Sequence, residues 1–405
     1  MTRTYHAPGA DGAPVSYTDR KRWGWSLSVV YPLLPFVGMA LHAHTGYQIA
    51  LGLPLLISYG LMPLLDHVIG EDTNNPPEAV VPDLDDDRYY RWLTWATVPL
   101  HFVALIGCAW WVGTQSLSWW AVLLLAYVAG TDSGLGINTG HELGHKHTAI
   151  EQWLARLVLA VPAYGHFTVE HGRGHHRHVS TPEDHASARM GETIYGFVLR
   201  EIPGGIRRAW RLEAERLAQR GHSAWSVHNT MLQSYAVTAA LQLGLVAAFG
   251  WVMLPFLAVH NLVAWWQLTS ANYVEHYGLL RERLPDGRYE APQPHHSWNT
   301  NHLVTNLATF HLQRHSDHHA YPSRRYQSLR QFEQLPQLPS GYFGMFPLSY
   351  VPPLWFRVMD PRLMALPHIR GDLGRVNVDP RRRAALVERY GRIDHREHDA
   401  VAPAA

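Results

Sequence analysis

A segment of nine residues, HLQRHSDHH (311–319), contains four histidines. On an α-helix His311, His315, His318 and His319 would share one face, because they are spaced i, i+4, i+7 and i+8. Four adjacent imidazoles repel one another when they are protonated, whereas neutral imidazole is the commonest metal ligand in proteins. The segment therefore predicts a metal site rather than four ordinary core histidines.

Three further clusters supply imidazoles. HELGHKH begins at His141, EHGRGHHRH begins at Glu170, and NYVEHYGL places a histidine directly after an apolar segment. The first two clusters also have helical spacing. Because one tetrahedral or octahedral ion cannot use nine imidazoles, we predict two metal ions. The nine predicted ligands are His141, His145, His171, His175, His176, His276, His315, His318 and His319.

Composition excludes cofactor sites that are built from cysteine. The chain has 405 residues, 28 histidines and one cysteine, Cys108. One cysteine cannot form a disulfide framework, a cysteine-ligated zinc site or an iron–sulfur centre. The net charge of +1 gives no indication of nucleic-acid binding.

The histidine clusters lie between long segments that carry no charge. Residues 23–65, 92–131 and 221–274 contain no Asp, Glu, Lys or Arg. A membrane-spanning helix needs about 20 predominantly apolar residues, so each segment has room for two spans and a tight turn. We therefore predict an all-α integral membrane protein. Its six transmembrane helices form three hairpins, and a cytoplasmic histidine-rich lobe holds the two metals.

The distribution of charge predicts the orientation. All 34 lysines and arginines lie outside the three hairpin turns. Because positive residues stay cytoplasmic, we place both termini and the metal site on the cytoplasmic side. The predicted parts are a cytoplasmic N-terminal segment (1–22) and a membrane domain (23–274) whose cytoplasmic loops 66–91 and 132–220 carry histidine clusters. They are followed by a cytoplasmic lobe with the last cluster (275–370) and by a basic tail (371–405).

The first cluster also matches a different class of enzyme. HELGH (141–145) has the H-E-x-x-H pattern of zinc metalloproteases, in which the glutamate is the general base. An intramembrane zinc protease is therefore an alternative. Such a site needs one further ligand rather than seven more histidines, which makes the protease the weaker hypothesis.

Taken together, the clusters resemble a known family. NTGHELGHK, EHGRGHHRHVSTPEDHASARMGE, NYVEHYGLLR and HLQRHSDHHAYPSRRYQSLR are similar to motifs of the bacterial membrane-bound alkane 1-monooxygenases, within the integral-membrane fatty acid desaturase and hydroxylase class. Membrane desaturases usually have H-x2-HH in the second cluster, so H-x3-HH is evidence against desaturation. The resemblance implies two non-haem irons, O2 as co-substrate, and hydroxylation of medium-chain n-alkanes at the terminal carbon. A hydroxylase of alkyl-aromatic methyl groups, of the xylene monooxygenase type, is the alternative within the class.

The same resemblance implies an external source of electrons. The family uses reduced rubredoxin, which is supplied by rubredoxin reductase and NAD(P)H, and this chain has no cysteine pair for a rubredoxin centre. No intrinsic haem, flavin or iron–sulfur centre is expected, and the location implied is the bacterial inner membrane. The terminal AVAPAA is similar to the start of a linker, which would suit a fused rubredoxin domain.

Two more groups of residues are predicted from their positions in the motifs. Metal-binding histidines need a hydrogen-bond partner on the second ring nitrogen, and the candidates are Glu142, Glu170, Asp184, Glu275, Asp317 and His311. The candidates for docking an acidic electron donor are Arg324, Arg325 and Arg330. The alternatives are solvated helix faces for the acidic residues and contact with anionic lipid for the arginines.

Overall fold

Helices make up most of the computed structural model, which describes residues 3–332 and 334–391. In chain order the helices are α1 (Gly24–Thr45), α2 (Gln48–Ile69), α3 (Val81–Asp86), α4 (Arg88–Thr114), α5 (Trp119–Gly144), α6 (Ala149–Ala160), α7 (167–178), α8 (Ile194–Ala218), α9 (Thr230–Phe249), α10 (Met253–His276), α11 (Leu303–Ala308), α12 (His315–Ala320), α13 (Tyr342–Ser349), α14 (Pro352–Met364) and α15 (Arg383–Tyr390). Separate 3-10 turns lie at Glu78–Val80, Pro294–His296, Tyr326–Ser328 and Leu373–Arg375.

Five helices in the described part of the chain are long and apolar enough to cross a membrane: α1, α2, α4, α5 and α9. Helix α10 has 24 residues, which is also long enough. It falls short in apolarity because its C-terminal half contains buried polar side chains, namely Gln267, Thr269, Ser270, Asn272 and Glu275. The prediction of a mostly helical membrane protein is confirmed. The sixth span and the arrangement in three hairpins stay predictions.

Helices α5 and α10 pack closely because small residues of α5 face α10. A Cβ atom added to Gly130 would lie 2.6 Å from the carbonyl oxygen of His260, and one added to Gly134 would lie 2.5 Å from Cβ of Gln267. Glycine therefore permits this close approach of the two helices. The contacts run in the same order along both helices, so the helices are parallel. Their C-terminal ends, which both carry predicted ligands, lie on the same side.

The structure also contains a β-hairpin, which the all-α prediction did not include. Strand β1 (Arg3–Pro8) pairs with the antiparallel strand β2 (Pro14–Asp19) across a turn in which Gly12 has φ +80°. The hydroxyl of Tyr5 donates a 2.6 Å hydrogen bond to Asp87 and so connects the hairpin to the start of α4. Two short strands in a polar segment lack the long periodic pattern that sequence analysis can detect.

The C-terminal helices pack against the C-terminal end of α10. The ring of Trp355 in α14 lies 5.1 Å from the ring of Tyr273 and 5.3 Å from that of Tyr277. This aromatic cluster holds the end of α10, and thus His276, in a fixed position. The predicted linker segment AVAPAA lies in 392–405, outside the described residues.

Candidate metal centre

The nine predicted ligands meet at one end of the helices in two groups. In the first histidine group, ligand nitrogens within 4.8 Å of one another belong to His141, His145, His171, His176 and His318. In the second histidine group, they belong to His175, His276, His315 and His319. Four separate sequence motifs thus supply two adjacent sets of imidazoles.

A π-helical turn in α7 determines which histidines belong together. Residues Glu170–His175 have π-helical hydrogen bonds, and in a π-helix residues five apart lie close together. As a result Nε2 of His176 lies 3.0 Å from Nε2 of His171. His175 belongs instead to the second group. The rings of His171 and His175 also stack, with centroids 5.2 Å apart, so the two groups adjoin at this turn.

Helix α12 contributes to both groups. His315 and His319 are four residues apart, and their Nε2 atoms are separated by 3.0 Å in the second group. His318 faces the other way, with its Nε2 atom 2.9 Å from that of His141 and 3.1 Å from that of His176. One short helix therefore holds the two groups next to each other.

The distances between ring nitrogens fit the ligands of metal ions. Nε2 atoms within the groups approach one another at 2.9 to 3.1 Å. Two nitrogens that are each about 2.1 Å from one ion, at a right angle, lie about 3.0 Å apart. The Nε2 atoms of His145 and His175 are buried and have no hydrogen-bond partner among the described residues. Such atoms fit ligands that face an ion.

Burial keeps these imidazoles uncharged. Desolvation, together with the neighbouring rings, holds the pKa of His171, His176, His318 and His319 well below the ordinary value for histidine. Metal ions bind the neutral form of imidazole. The groups are therefore in the protonation state that metal binding requires at neutral pH.

Two rings have a hydrogen-bond partner on the second nitrogen that fixes their orientation. Nδ1 of His175 lies 2.8 Å from one carboxylate oxygen of Asp184, and the other oxygen accepts a 2.8 Å hydrogen bond from Arg208. Nδ1 of His276 lies 3.2 Å from the backbone carbonyl oxygen of His296. These contacts leave Nε2 of each ring free for a metal. Sequence analysis predicted the contact of Asp184 and missed that of His296, since a backbone carbonyl leaves no pattern in the sequence.

Glu275 approaches the second group more loosely. One of its carboxylate oxygens lies 3.4 Å from Nε2 of His315, and the other accepts a 2.8 Å hydrogen bond from the hydroxyl of Tyr342. The carboxylate is on the metal-facing side of the ring, so it could contact an ion itself rather than support the ring from behind.

The other predicted acidic partners pair with cations. The pairs are Glu142 with Lys146, Glu170 with Arg208, and Asp317 with Arg324. Glu142 also accepts a 3.3 Å hydrogen bond from the backbone N–H of Tyr326. In a zinc protease this carboxylate would have to act as the general base at the metal. Its ion pair with Lys146, at 3.0 Å, is evidence against that role.

His311 lies apart from both groups. The chain leaves helix α11 before this residue and enters α12 after it, and φ is +50° at Phe310 and +52° at His311. Nδ1 of His311 lies 3.0 Å from the carbonyl oxygen of Tyr326, and its ring packs 4.6 Å from that of Trp25. The predicted single helical face was wrong for His311. Left-handed turns at residues other than glycine are uncommon, so the spacing alone could not reveal this one.

The three arginines that were predicted to dock an electron donor point into the protein. Their partners are Asp317 and Glu78 for Arg324, Glu151 for Arg325, and Glu78 and Asp317 for Arg330. Arg324 and Arg325 are buried. The structure thus pairs these guanidinium groups with the buried carboxylates of Asp317 and Glu151 and with the exposed carboxylate of Glu78, instead of the unpaired basic face that we expected.

A third cluster of potential ligands differs from the two histidine groups in the hydrogen bonding of its buried histidine. It contains Glu290, His295 and His296. Nδ1 of His296 accepts a 2.8 Å hydrogen bond from the backbone N–H of Gln293. The hydrogen of the neutral ring is therefore on Nε2, which lies 3.3 Å from Glu290. A nitrogen that carries hydrogen does not bind a metal, so neither ring nitrogen of the neutral His296 is available as a ligand in this cluster.

An apolar cavity borders both histidine groups. It has an empty volume of about 640 Å³ and touches His141 and His171 of the first group and His315 of the second. The apolar residues that line it are Leu135, Phe167, Leu268, Ala271, Leu312, Phe343 and Phe346. Thr131 also lines it and lies ten residues from His141 on α5. The cavity therefore extends about 15 Å along this helix. Without coordinates, the sequence could not show which helix faces point inward.

The fold and the histidine groups define a membrane protein of the desaturase and hydroxylase class, and residues 115–349 match the fatty acid desaturase family. The chain is 53% identical over 397 residues to an alkane 1-monooxygenase of Pseudomonas putida, covering 97% of this chain and 98% of the relative. It is 54% identical over 385 residues to alkane 1-monooxygenase 1 of Alcanivorax borkumensis, covering 95% of each. The chain therefore belongs to the alkane 1-monooxygenase family, and it is a monooxygenase.

A more distant relative represents the alternative substrate class. The hydroxylase component of xylene/toluene monooxygenase of Pseudomonas putida is 30% identical over 253 residues, which cover 62% of this chain and 64% of the relative. The resemblance seen in the sequence motifs is thus confirmed at the level of the family. Identity is clearly higher to the alkane enzymes than to the aromatic one.

Proposed function

We propose that this chain is a membrane di-iron monooxygenase that converts medium-chain n-alkanes into 1-alkanols. The observation that carries the proposal is that nine imidazoles form two groups, and that His141, His171 and His315 of these groups border one apolar cavity. The names of the relatives with more than 50% identity support an alkane as the substrate.

In this proposal the five histidines of the first group hold one iron and the four of the second group hold the other. Imidazole also suits zinc, copper and nickel, so the assignment of iron rests on the family resemblance and on the need for a redox-active metal. When bound, the two irons supply the activation of O2. Glu275, which is close to His315, is positioned to complete the second group.

The protein itself binds and orients the substrate. The walls of the cavity are mostly carbon and keep water away from an alkane chain. Because the cavity is about 15 Å long along α5 and ends at His141, His171 and His315, a chain that fills it presents one end to the metals. End-on binding accounts for oxidation of the terminal carbon.

Electrons come from outside the chain in this proposal. The donor is reduced rubredoxin, which is maintained by rubredoxin reductase and NAD(P)H. The single cysteine, Cys108, is buried and far along the sequence from every histidine cluster, so it provides no redox centre. The proposed location is the bacterial inner membrane, with six spans formed by α1, α2, α4, α5, α9 and α10, and with both termini and the metal site in the cytoplasm.

Product analysis tests the proposal. Membranes that contain the protein are supplied with rubredoxin, rubredoxin reductase, NADH and either n-octane or a xylene. We expect 1-octanol as the main product of octane and little conversion of the xylene. Mid-chain octanols would contradict end-on binding, and preferential oxidation of the xylene methyl group would favour the aromatic alternative. The same reaction without rubredoxin serves as the control, and turnover in that control would contradict the assigned electron donor.

A further inference from the structure

A second cavity reaches the two histidine groups from another side. It has an empty volume of about 340 Å³ and touches His171 of the first group and His175 of the second. Phe167, Leu268 and Asn272 border both this cavity and the alkane cavity. These three side chains thus form a partition, with the substrate on one side and a separate compartment on the other.

The second cavity has more titratable side chains in its walls than the alkane cavity, where Glu275 and Tyr342 are the only ones of the described residues apart from the predicted ligands. The titratable residues of the second cavity, apart from the predicted ligands, are Tyr164, His166, Glu170, His185 and Glu201. It has room for at least one water molecule, with several polar partners at hand. We therefore call it the polar cavity. Its chemistry suits water and protons rather than a hydrocarbon.

Glu201 is the carboxyl group of the polar cavity that has no cation partner among the described residues. It is 4% exposed and accepts hydrogen bonds from Thr269 at 2.5 Å and from Asn272 at 2.6 Å. The adjacent Arg200 instead directs its guanidinium to Glu192 at 2.8 Å. Burial raises the pKa of Glu201 to about 7. Its carboxyl can therefore both hold and release a proton near neutral pH.

The other charged groups near Glu201 are already paired. Glu170 and Asp184 both bind the guanidinium of Arg208. Arg208 thus gives both carboxylates a cation partner, and Nδ1 of His166 contacts the hydroxyl of Tyr235 at 2.8 Å. Glu201 thus differs from its neighbours in having no such partner to hold its charge.

His185 lies between the polar cavity and the surface. It borders the polar cavity and also an open cleft lined by Arg200, Arg207, Arg208 and Arg211. The ring packs on Gly204, where an added Cβ would lie 2.5 Å from it. Burial lowers the pKa of His185, so its imidazole is neutral and able to pass a proton on.

We propose that His185 and Glu201 form the route by which protons from the cytoplasm reach the metal centre. This inference rests on the proposed function, in which an alkane, O2, two electrons and two protons give an alkanol and water. A C–H bond and the O–O bond break. One oxygen atom bonds to that carbon and to the hydrogen that left it, which gives the alkanol, and the other oxygen takes both protons and becomes water. The electrons come from the reduced donor, and the protons pass from the surface cleft through His185, the carboxyl of Glu201 and water in the polar cavity.

The reaction also explains the separation of the two cavities. Protons must arrive while the C–H bond of the alkane stays in a dry environment. A route through the alkane cavity would bring water to the substrate. The partition of Phe167, Leu268 and Asn272 permits both conditions at once. Asn272 also binds Glu201 and so connects the carboxyl group to the partition.

Substitution of Glu201 tests the route. Glu201→Gln keeps the size and hydrogen-bonding capacity of the side chain and removes the proton, and Glu215→Gln on the exposed side of the same helix is the matched control. We expect Glu201→Gln to lower alkanol formation by about 100-fold, the low end of what a positioned proton donor contributes. The rate of the unmodified enzyme should fall as pH rises through about 7, because Glu201 must be protonated to donate. Glu201→Gln should lose this limb of the pH profile, and Glu201→Asp should restore part of the rate with a shifted limb.

A measurement without turnover complements these rates. Infrared difference titration of the metal-free protein should show a carboxyl group that titrates near pH 7, present in Glu215→Gln and absent in Glu201→Gln. If Glu201→Gln fails to accumulate in membranes, His185→Gln serves as the second variant, and it should slow turnover and increase the solvent deuterium isotope effect. An unchanged rate and pH profile in Glu201→Gln would overturn the route. If only His185→Gln accumulates, an unchanged rate and pH profile in that variant would overturn it. The absence of the titrating carboxyl group from the infrared titration would also overturn it. Lack of 1-octanol formation by the unmodified protein would instead contradict the proposed function.

Discussion

Two neighbouring cavities reach the same histidine groups, share a partition of Phe167, Leu268 and Asn272, and differ in their remaining walls. The alkane cavity is bordered by leucine and phenylalanine side chains, and the polar cavity by glutamates and histidines. His171 borders both. The difference suggests that a monooxygenase site is organised by what each side must keep out: water from the substrate on one side, and hydrocarbon from the proton supply on the other.

The largest effect is expected for a residue that both belongs to a predicted metal site and borders the substrate cavity. His315 belongs to the second histidine group and borders the alkane cavity. His315→Ala should abolish hydroxylation and lower the iron content, while the protein stays in the membrane because the spans do not depend on this ring. Product formation and iron per chain are the measurements.

His147→Ala is the control for this substitution. His147 lies in the first histidine motif but is exposed and belongs to neither group. The variant should keep normal activity and iron content. Normal turnover in His315→Ala would remove His315 from the set of ligands.

A smaller effect is expected from the residue that orients a ligand on the polar side. Asp184 accepts from Nδ1 of His175, which borders the polar cavity. Loss of such a partner typically costs about 10- to 100-fold in metal affinity or activity. Asp184→Asn should therefore weaken iron binding in a competition titration by about that factor, whereas Asp286→Asn, at an exposed position, should not. Equal affinities in the two variants would show that Asp184 does not support the ligand.

Near the alkane cavity, a larger side chain on α2 should change which alkanes fit. It should not change the rate with short alkanes. Ser58 and Leu55 border a smaller cavity together with Thr131, which also borders the alkane cavity. Ser58→Trp should shorten the longest alkane that is accepted. The measurement is the yield of 1-alkanol over a series of chain lengths, and Met62→Trp and Leu55→Trp complete the scan. Unchanged profiles throughout would show that α2 does not limit chain length.

The smallest effect is expected for the one cysteine. Cys108 is fully buried among apolar residues of α4 and contacts neither cavity. Cys108→Ala should lower stability by about 1 kcal/mol, a usual cost for a small core substitution, and leave turnover nearly unchanged. Thermal unfolding and alkanol formation are the measurements. A large loss of turnover in a folded variant would indicate a redox role for this thiol.

The nine histidines that form the two groups could be selected from the sequence because residue type and spacing coincide in the motifs. His141 and His145, and His315 and His319, follow ordinary helical spacing, and each pair shares one group. His171, His175 and His176 could not be divided between the groups, because the division depends on a π-helical turn. Whether a single turn has α-helical or π-helical hydrogen bonds depends on tertiary packing rather than on local propensity.

Other differences between the sequence-based predictions and the structure also arise from contacts between residues that are distant in the chain. The arginines after the last cluster look like a basic surface in the sequence, but the structure gives Arg325 a buried partner, Glu151, that lies 174 positions earlier in the chain. Helix α10 was predicted as a span because residues 221–274 carry no charge, and the structure shows that its Asn272 and Thr269 donate hydrogen bonds to the buried Glu201. Long-range pairs of this kind leave no pattern in a single sequence.

Metal analysis tests the central claim most directly. The protein is purified from membranes after expression in iron-rich medium, and iron and zinc are measured per chain alongside His147→Ala. The two histidine groups predict two irons per chain in both proteins, and loss of iron in His318→Ala and in His319→Ala, two adjacent residues that belong to different groups. One metal per chain, or zinc in place of iron, would contradict the account.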